Sequence, residues 1–109
     1  MLIGCFAAIS AAVAVAAGAF GAHAAPGPQE AEWLRTGGFY QLLHAIAALA
    51  LMGSAKGPAI VLLAGSVLFA LTLYAMALGA PQWLGAITPI GGTLLIGGWL
   101  WAGWIYFRG

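Results

Sequence analysis

Apolar residues fill this chain in four long blocks, Leu2 to Ala22, Gly38 to Ala55, Pro58 to Gly79 and Ile87 to Phe107. Each comes close to the ~20 apolar residues that a helix rising ~1.5 Å per residue needs to cross a bilayer. The breaks between blocks carry turn-forming residues. Pro26-Gly27-Pro28 follows the first, Lys56-Gly57-Pro58 parts the second from the third, and Ala80-Pro81-Gln82 parts the third from the fourth. The last two breaks are so short that the helices they join must run antiparallel. The pattern predicts an all-α integral membrane four-helix bundle, one transmembrane domain over residues 1–109.

One polar segment of any size interrupts this plan. Residues 28–36 read as a short interfacial helix, with Pro28 at its first position, Glu30 and Glu32 in the first turn and Arg35 in the last. Trp33 and Leu34 supply apolar surface at headgroup depth. Cation placement sets the orientation. Lys56 and Arg108 share the end of the two termini and Arg35 lies at the other end, so the positive-inside rule places both termini in the cytoplasm. Trp33 and Trp83 then mark the outer interface, and Trp101, Trp104 and Tyr106 the inner one.

Composition reinforces the membrane reading. The chain is 64% hydrophobic and 5% charged, with a mean hydropathy of +1.06; a soluble surface needs far more charge. The first block ends in Ala22-His23-Ala24, which imitates a signal-peptide cleavage site. A signal peptide begins with basic residues, however, and MLIGCFAAIS has none. Leu2-Ile3-Gly4-Cys5 likewise imitates a lipoprotein box, with no apolar segment ahead of it. The block is expected to remain as a helix. Cys5 is the single cysteine, so no internal disulfide forms and a buried free thiol is expected.

Helices in lipid associate by close backbone approach, and small residues mark the contacts. Gly18 and Gly21 on the first helix and Gly91, Gly92, Gly97 and Gly98 on the fourth are the expected packing positions. Packing within the bundle and docking of a partner chain both fit such faces.

Polar residues inside a membrane are costly, so each is a candidate. Tyr40, Gln41 and His44 are neighbours at helical spacing. His44 lies seven residues past Gly37, roughly 10 Å below the outer surface. His23 closes the first helix at that surface and Thr88 opens the fourth there. Topology alone thus gathers His23, Tyr40, Gln41, His44 and Thr88 in the outer third of the bundle. The plain account is a hydrogen-bonded network, with Gln41 or Thr88 satisfying the imidazole. The sharper account is a proton relay or ligand contact, since an imidazole titrates near neutrality. Haem ligation by two histidines requires matched depth, and His23 is too shallow. No carboxylate lies within a span, as ion-coupled transporters usually require, and no metal, nucleotide or nucleophile motif is present. No cofactor, metal ligand or catalytic residue is assigned, and the chain is not expected to be an enzyme.

Four stretches together resemble the domain of unknown function 423 family of small bacterial inner-membrane proteins, related to the transmembrane protein 256 group. They are GAFGAH (18–23), TGGFYQLLHA (36–45), LFALTLYAMAL (68–78) and TPIGGTLLIGGW (88–99), one per expected helix and in the right order. The resemblance implies a four-helix integral membrane protein with a retained first helix. It singles out His23, Tyr40, Gln41, His44, Thr88, Pro89, Gly91 and Gly92. The chain departs from the family in carrying Ala70-Leu71-Thr72 where a Ser-Gly-Ser run is usual, and in a shorter first connection.

The resulting expectation is a multi-pass protein of the bacterial inner membrane, structural or accessory to a larger membrane complex. Its partners are the lipid bilayer and either other membrane subunits or further copies of itself, not nucleic acid. The alternative is a binding or permeation site for a lipid, quinone or proton, centred on His23 and His44.

Overall fold

With no water in the bilayer core to satisfy backbone polar groups, an apolar chain of this kind resolves into helices. The computed structural model describes residues 2–109. Helix α1 spans Leu2–His23, α2 Pro28–Leu51, α3 Lys56–Ala77 and α4 Thr88–Arg108, with a short 3-10 helix, Gln82–Ala86, ahead of α4. Three stretches are long and apolar enough to cross a membrane: Leu2–His23, Lys56–Ala77 and Gln82–Arg108.

The second helix differs from expectation. Residues 28–36 form no separate interfacial helix; they are the first turns of a continuous α2 of 24 residues. Gly37 and Gly38 lie inside it rather than at a boundary, because neighbouring helices hold their backbone in place. Leu34, Gly37 and Gly38 are buried. Glu30, Glu32 and Arg35, together with Tyr40, Gln41 and His44, make α2 the polar member of the set. Three clearly apolar spans therefore replace the four expected. The second block also ends earlier, at Leu51, and turns through Met52 to Ala55 into α3.

Local chemistry explains the turns. Pro28 takes the first position of α2, where its missing N–H costs nothing. Gly79 follows α3 with φ +104°, a conformation that strains any residue with a Cβ. Its N–H reaches the Met76 carbonyl at 3.1 Å, and that of Ala80 reaches the Ala75 carbonyl at 2.9 Å. The last carbonyls of α3 are thereby satisfied before Pro81 turns the chain.

The helices pack in chain order, α1 on α2, α2 on α3 and α3 on α4, with α1 touching α3 lightly. Among the described residues the backbones of α1 and α4 do not approach one another, nor do those of α2 and α4. The interior is built of small residues: Ala7, Ala45, Ala48, Ala59 and Ala70 are fully buried, while Phe6, Ile9, Ile46, Leu71, Ile96 and Leu100 face outward. This distribution suits lipid, where close backbone approach and not apolar burial drives association. Cys5 is exposed on the outer face of α1, not buried as expected. The buried face of α1 passes instead through Ala7, Ser10, Ala14 and Gly21.

Two helix crossings are very close. A Cβ on Gly91 would meet Phe69 N at 2.6 Å and Gly65 O at 2.8 Å, so α3 and α4 touch backbone to backbone. At the α1–α2 crossing, a Cβ on Gly38 would lie 3.1 Å from Ala14 O and 3.5 Å from Gly18 N. Two apolar clusters fill the ends of the bundle, one around Ala48, Leu51, Ala59 and Leu62, the other around Leu34, Ala70, Tyr74 and Ala77. Gln41 and His44 lie along α2 between Leu34 of one cluster and Ala48 of the other.

Candidate functional site

At ~3.6 residues per turn, Gln41 and His44 sit about 60° apart around α2, and the two side chains enter different surroundings. Gln41 is 2% exposed and lies where α1, α2 and α3 meet. Its Nε2 donates to Ser10 Oγ on α1 at 3.0 Å, and its Oε1 accepts from the Tyr74 hydroxyl on α3 at 2.6 Å. One amide thus ties three helices together. Gly37, one turn earlier, makes room for the Tyr74 ring: a Cβ there would meet Tyr74 Cε1 at 2.7 Å.

His44 is buried too, but it faces α4. Its Nδ1 lies 2.7 Å from the Tyr40 carbonyl oxygen, and its Nε2 is 3.0 Å from the indole nitrogen of Trp99. A carbonyl only accepts and an indole N–H only donates. The ring is therefore neutral with its proton on Nδ1, and both nitrogens are engaged. Tyr40 stacks on the imidazole with ring centroids 6.2 Å apart and planes 11° apart, and packs against Phe69 at 4.9 Å. The His44–Trp99 bond joins two helices whose backbones do not meet.

Thr88 lies elsewhere. Its hydroxyl is 2.6 Å from that of Thr72, with both groups buried between α3 and α4. Thr72 also donates to the Phe69 carbonyl at 2.9 Å. The Ala70-Leu71-Thr72 departure therefore still supplies one small polar contact to α4.

The structure does not gather the five candidates into one cluster. Tyr40 and His44 are together, Gln41 belongs to the α1–α3 side, Thr88 pairs with Thr72, and His23 stands apart. As the last residue of α1, His23 is exposed and makes no side-chain hydrogen bond among the described residues. Position near the outer surface suggested convergence; His23 instead stays exposed at the end of α1. Ser10, Thr72, Tyr74 and Trp99 complete the networks and were not singled out from the sequence. A signal existed for Ser10, the one hydroxyl in the first helix. None existed for Trp99, which reads as an aromatic facing lipid.

The packing glycines divide as well. Gly91 and Gly98 share the buried face of α4 with Leu95 and Ala102, and Gly21 abuts Leu34. A Cβ on Gly18 or Gly97 would meet nothing within 4 Å, and one on Gly92 would make ordinary contact with Phe69.

Two lateral clefts open beside these networks. One, of about 630 Å³, runs between α1 and α3 with Ser10 and Gln41 in its wall. The other, of about 570 Å³, lies between α2 and α4 and is lined by Tyr40, His44, Phe69, Pro89, Gly92 and Trp99.

Comparison with known proteins adds the family context. A family model described as a protein of unknown function, DUF423, matches residues 17–92. The UPF0382 inner membrane protein YgdD of Escherichia coli (strain K12) is 37% identical over 105 residues, covering 86% of this chain and 80% of that protein. A UPF0382 membrane protein of Haemophilus influenzae is 42% identical over 103 residues, covering 85% and 83%. One from Staphylococcus saprophyticus is 38% identical over 104 residues, covering 85% and 86%. No solved structure matches the chain.

Proposed function

The chain belongs to the DUF423 family of membrane proteins, and on that premise we propose that it is a non-enzymatic structural or accessory subunit, docked within the bilayer against another membrane protein or a second copy of itself. The observation that carries this reading is the outward face of α1. Ala8, Ala12 and Ala16 lie four apart and exposed, on the side away from the buried Ala7 and Ala14. A row of small residues at this spacing lets another helix backbone come close. Gly97 and Gly103 on α4 are open in the same way.

Purification in mild detergent followed by mass determination tests the reading. A species heavier than one chain is expected, and Ala12→Phe is expected to reduce it to a monomer that keeps its helical content. A monomeric wild type without partners sinks the proposal. Lys56 and Arg108 at the end of the termini support cytoplasmic N- and C-termini; a C-terminal fluorescent-protein fusion that stays dark would reverse that orientation.

A small-ligand site is the second reading, favoured by the cleft of about 570 Å³ beside His44. It rests on His44 without His23. A growth defect caused by His44→Ala but not by His23→Ala supports it, and equal behaviour of the two variants removes it.

A further inference from the structure

The cleft between α1 and α3 carries an observation independent of the subunit reading. Ser10, Gln41 and Tyr74 hold four polar hydrogens, two on the amide and one on each hydroxyl. They make two hydrogen bonds among themselves, and no further bond from these side chains is present among the described residues. Turning the amide end for end only exchanges which hydroxyl donates. Two hydrogens still lack an acceptor, and one of them is always on Gln41. In the arrangement found, the other is on Ser10.

These donors are deeply placed. Ser10 is 5% exposed and Gln41 2%, yet both line the 630 Å³ cleft, whose other walls are side chains such as Phe6, Ile9, Val13, Val67 and Leu71. Each atom has one partner, but a polar hydrogen left without an acceptor in hydrocarbon is costly. Gln41 Nε2 already points one hydrogen at Ser10 Oγ, 3.0 Å away, and its second points elsewhere, so a carbonyl oxygen in the cleft can meet the free hydroxyl hydrogen of Ser10. The complementary molecule is apolar along its length and presents a carbonyl without needing a charge partner.

Depth selects among such molecules. Ser10 is eight residues from Leu2 and thirteen from His23, about 12 Å and about 20 Å along the helix. That is well inside a hydrocarbon core of ~30 Å, below the interface where phospholipid ester carbonyls lie. We infer that the α1–α3 cleft is a binding site for an isoprenoid quinone, whose ring carbonyl accepts a hydrogen bond from Ser10 while its tail lies along the apolar walls. A cleft of this volume matches a small-molecule site.

The test uses the full chain in nanodiscs of saturated phosphatidylcholine, titrated with decylubiquinone, with decylbenzene as a competitor that lacks the carbonyl. The wild type is expected to bind the quinone saturably. Ser10→Ala is expected to weaken binding about tenfold, the effect of one lost hydrogen bond. Val67→Trp fills the cleft while leaving Ser10, Gln41 and Tyr74 unsubstituted and is expected to abolish binding; circular dichroism confirms that both variants fold. His44→Ala is expected to bind as the wild type does. Equal competition by decylbenzene, or undiminished binding by Val67→Trp, overturns the assignment. So does binding that follows His44 instead, which would place the ligand in the other cleft. If Ser10→Ala does not fold, the Val67→Trp and decylbenzene results decide.

Discussion

Gln41 and His44 stand one turn apart on the same helix, and they illustrate two ways of holding a polar group in a membrane. The imidazole is the side chain chemistry would single out, because histidine is the usual choice for a proton relay. Here it is fully engaged: Nδ1 donates a hydrogen bond to the Tyr40 carbonyl and Nε2 accepts one from the Trp99 indole. The amide looks inert, yet it joins three helices and keeps a donor free beside an open cleft. Reactivity in isolation is therefore a poor guide to the group left available; the count of unmet hydrogen bonds is a better one.

The largest expected effect comes from separating Gln41 from Tyr74. Gly37→Leu drives a side chain into the Tyr74 ring, where even a Cβ would lie at 2.7 Å. It should cost about 1–3 kcal/mol by overpacking, read as a lowered unfolding midpoint in detergent. The His44–Trp99 pair should survive, because it lies on another side of α2; if that pair is lost too, the two networks are not separable. Gln41→Leu comes next. It removes two bonds and strands two hydroxyls, at about 1–2 kcal/mol.

On the His44 side the effect is smaller. Trp99→Phe removes one interhelical bond worth about 0.6 kcal/mol in a membrane protein. Its clearer signature is in nitrogen NMR: the wild-type ring should show a single Nδ1–H tautomer, and the variant a mixture. A mixture already in the wild type would break the contrast drawn between the two residues. Smallest of all, His23→Ala should leave stability within about 0.5 kcal/mol, since the side chain is exposed. A larger loss would mean that His23 is coupled to the bundle after all.

Much of this was visible in the sequence, for reasons that differ by residue. The helix ends at Pro28 and Gly79 follow from backbone chemistry that acts within a few residues. Gly91 and Gly98, seven apart on α4, share a face in any helix. The separation of 28–36 from the second span was misread because Gly37-Gly38 and the charges before it resemble a boundary. In the folded protein Gly38 lies against Ala14 and Gly18, and packing carries the helix through. Ser10 was overlooked because one hydroxyl among alanines has no local partner to announce it.

The chain by itself determined that it would be helical, that it would lie in lipid, and which neighbouring helices would pair, because hydropathy, turn residues and loop length act over short distances. Only the tertiary structure decided that the histidine would be satisfied and the glutamine left with a donor to spare. That outcome depends on where α1 and α4 cross the polar turn of α2. Ser10 lies 31 residues from Gln41, and Trp99 lies 55 from His44; no periodicity in a sequence links positions so far apart.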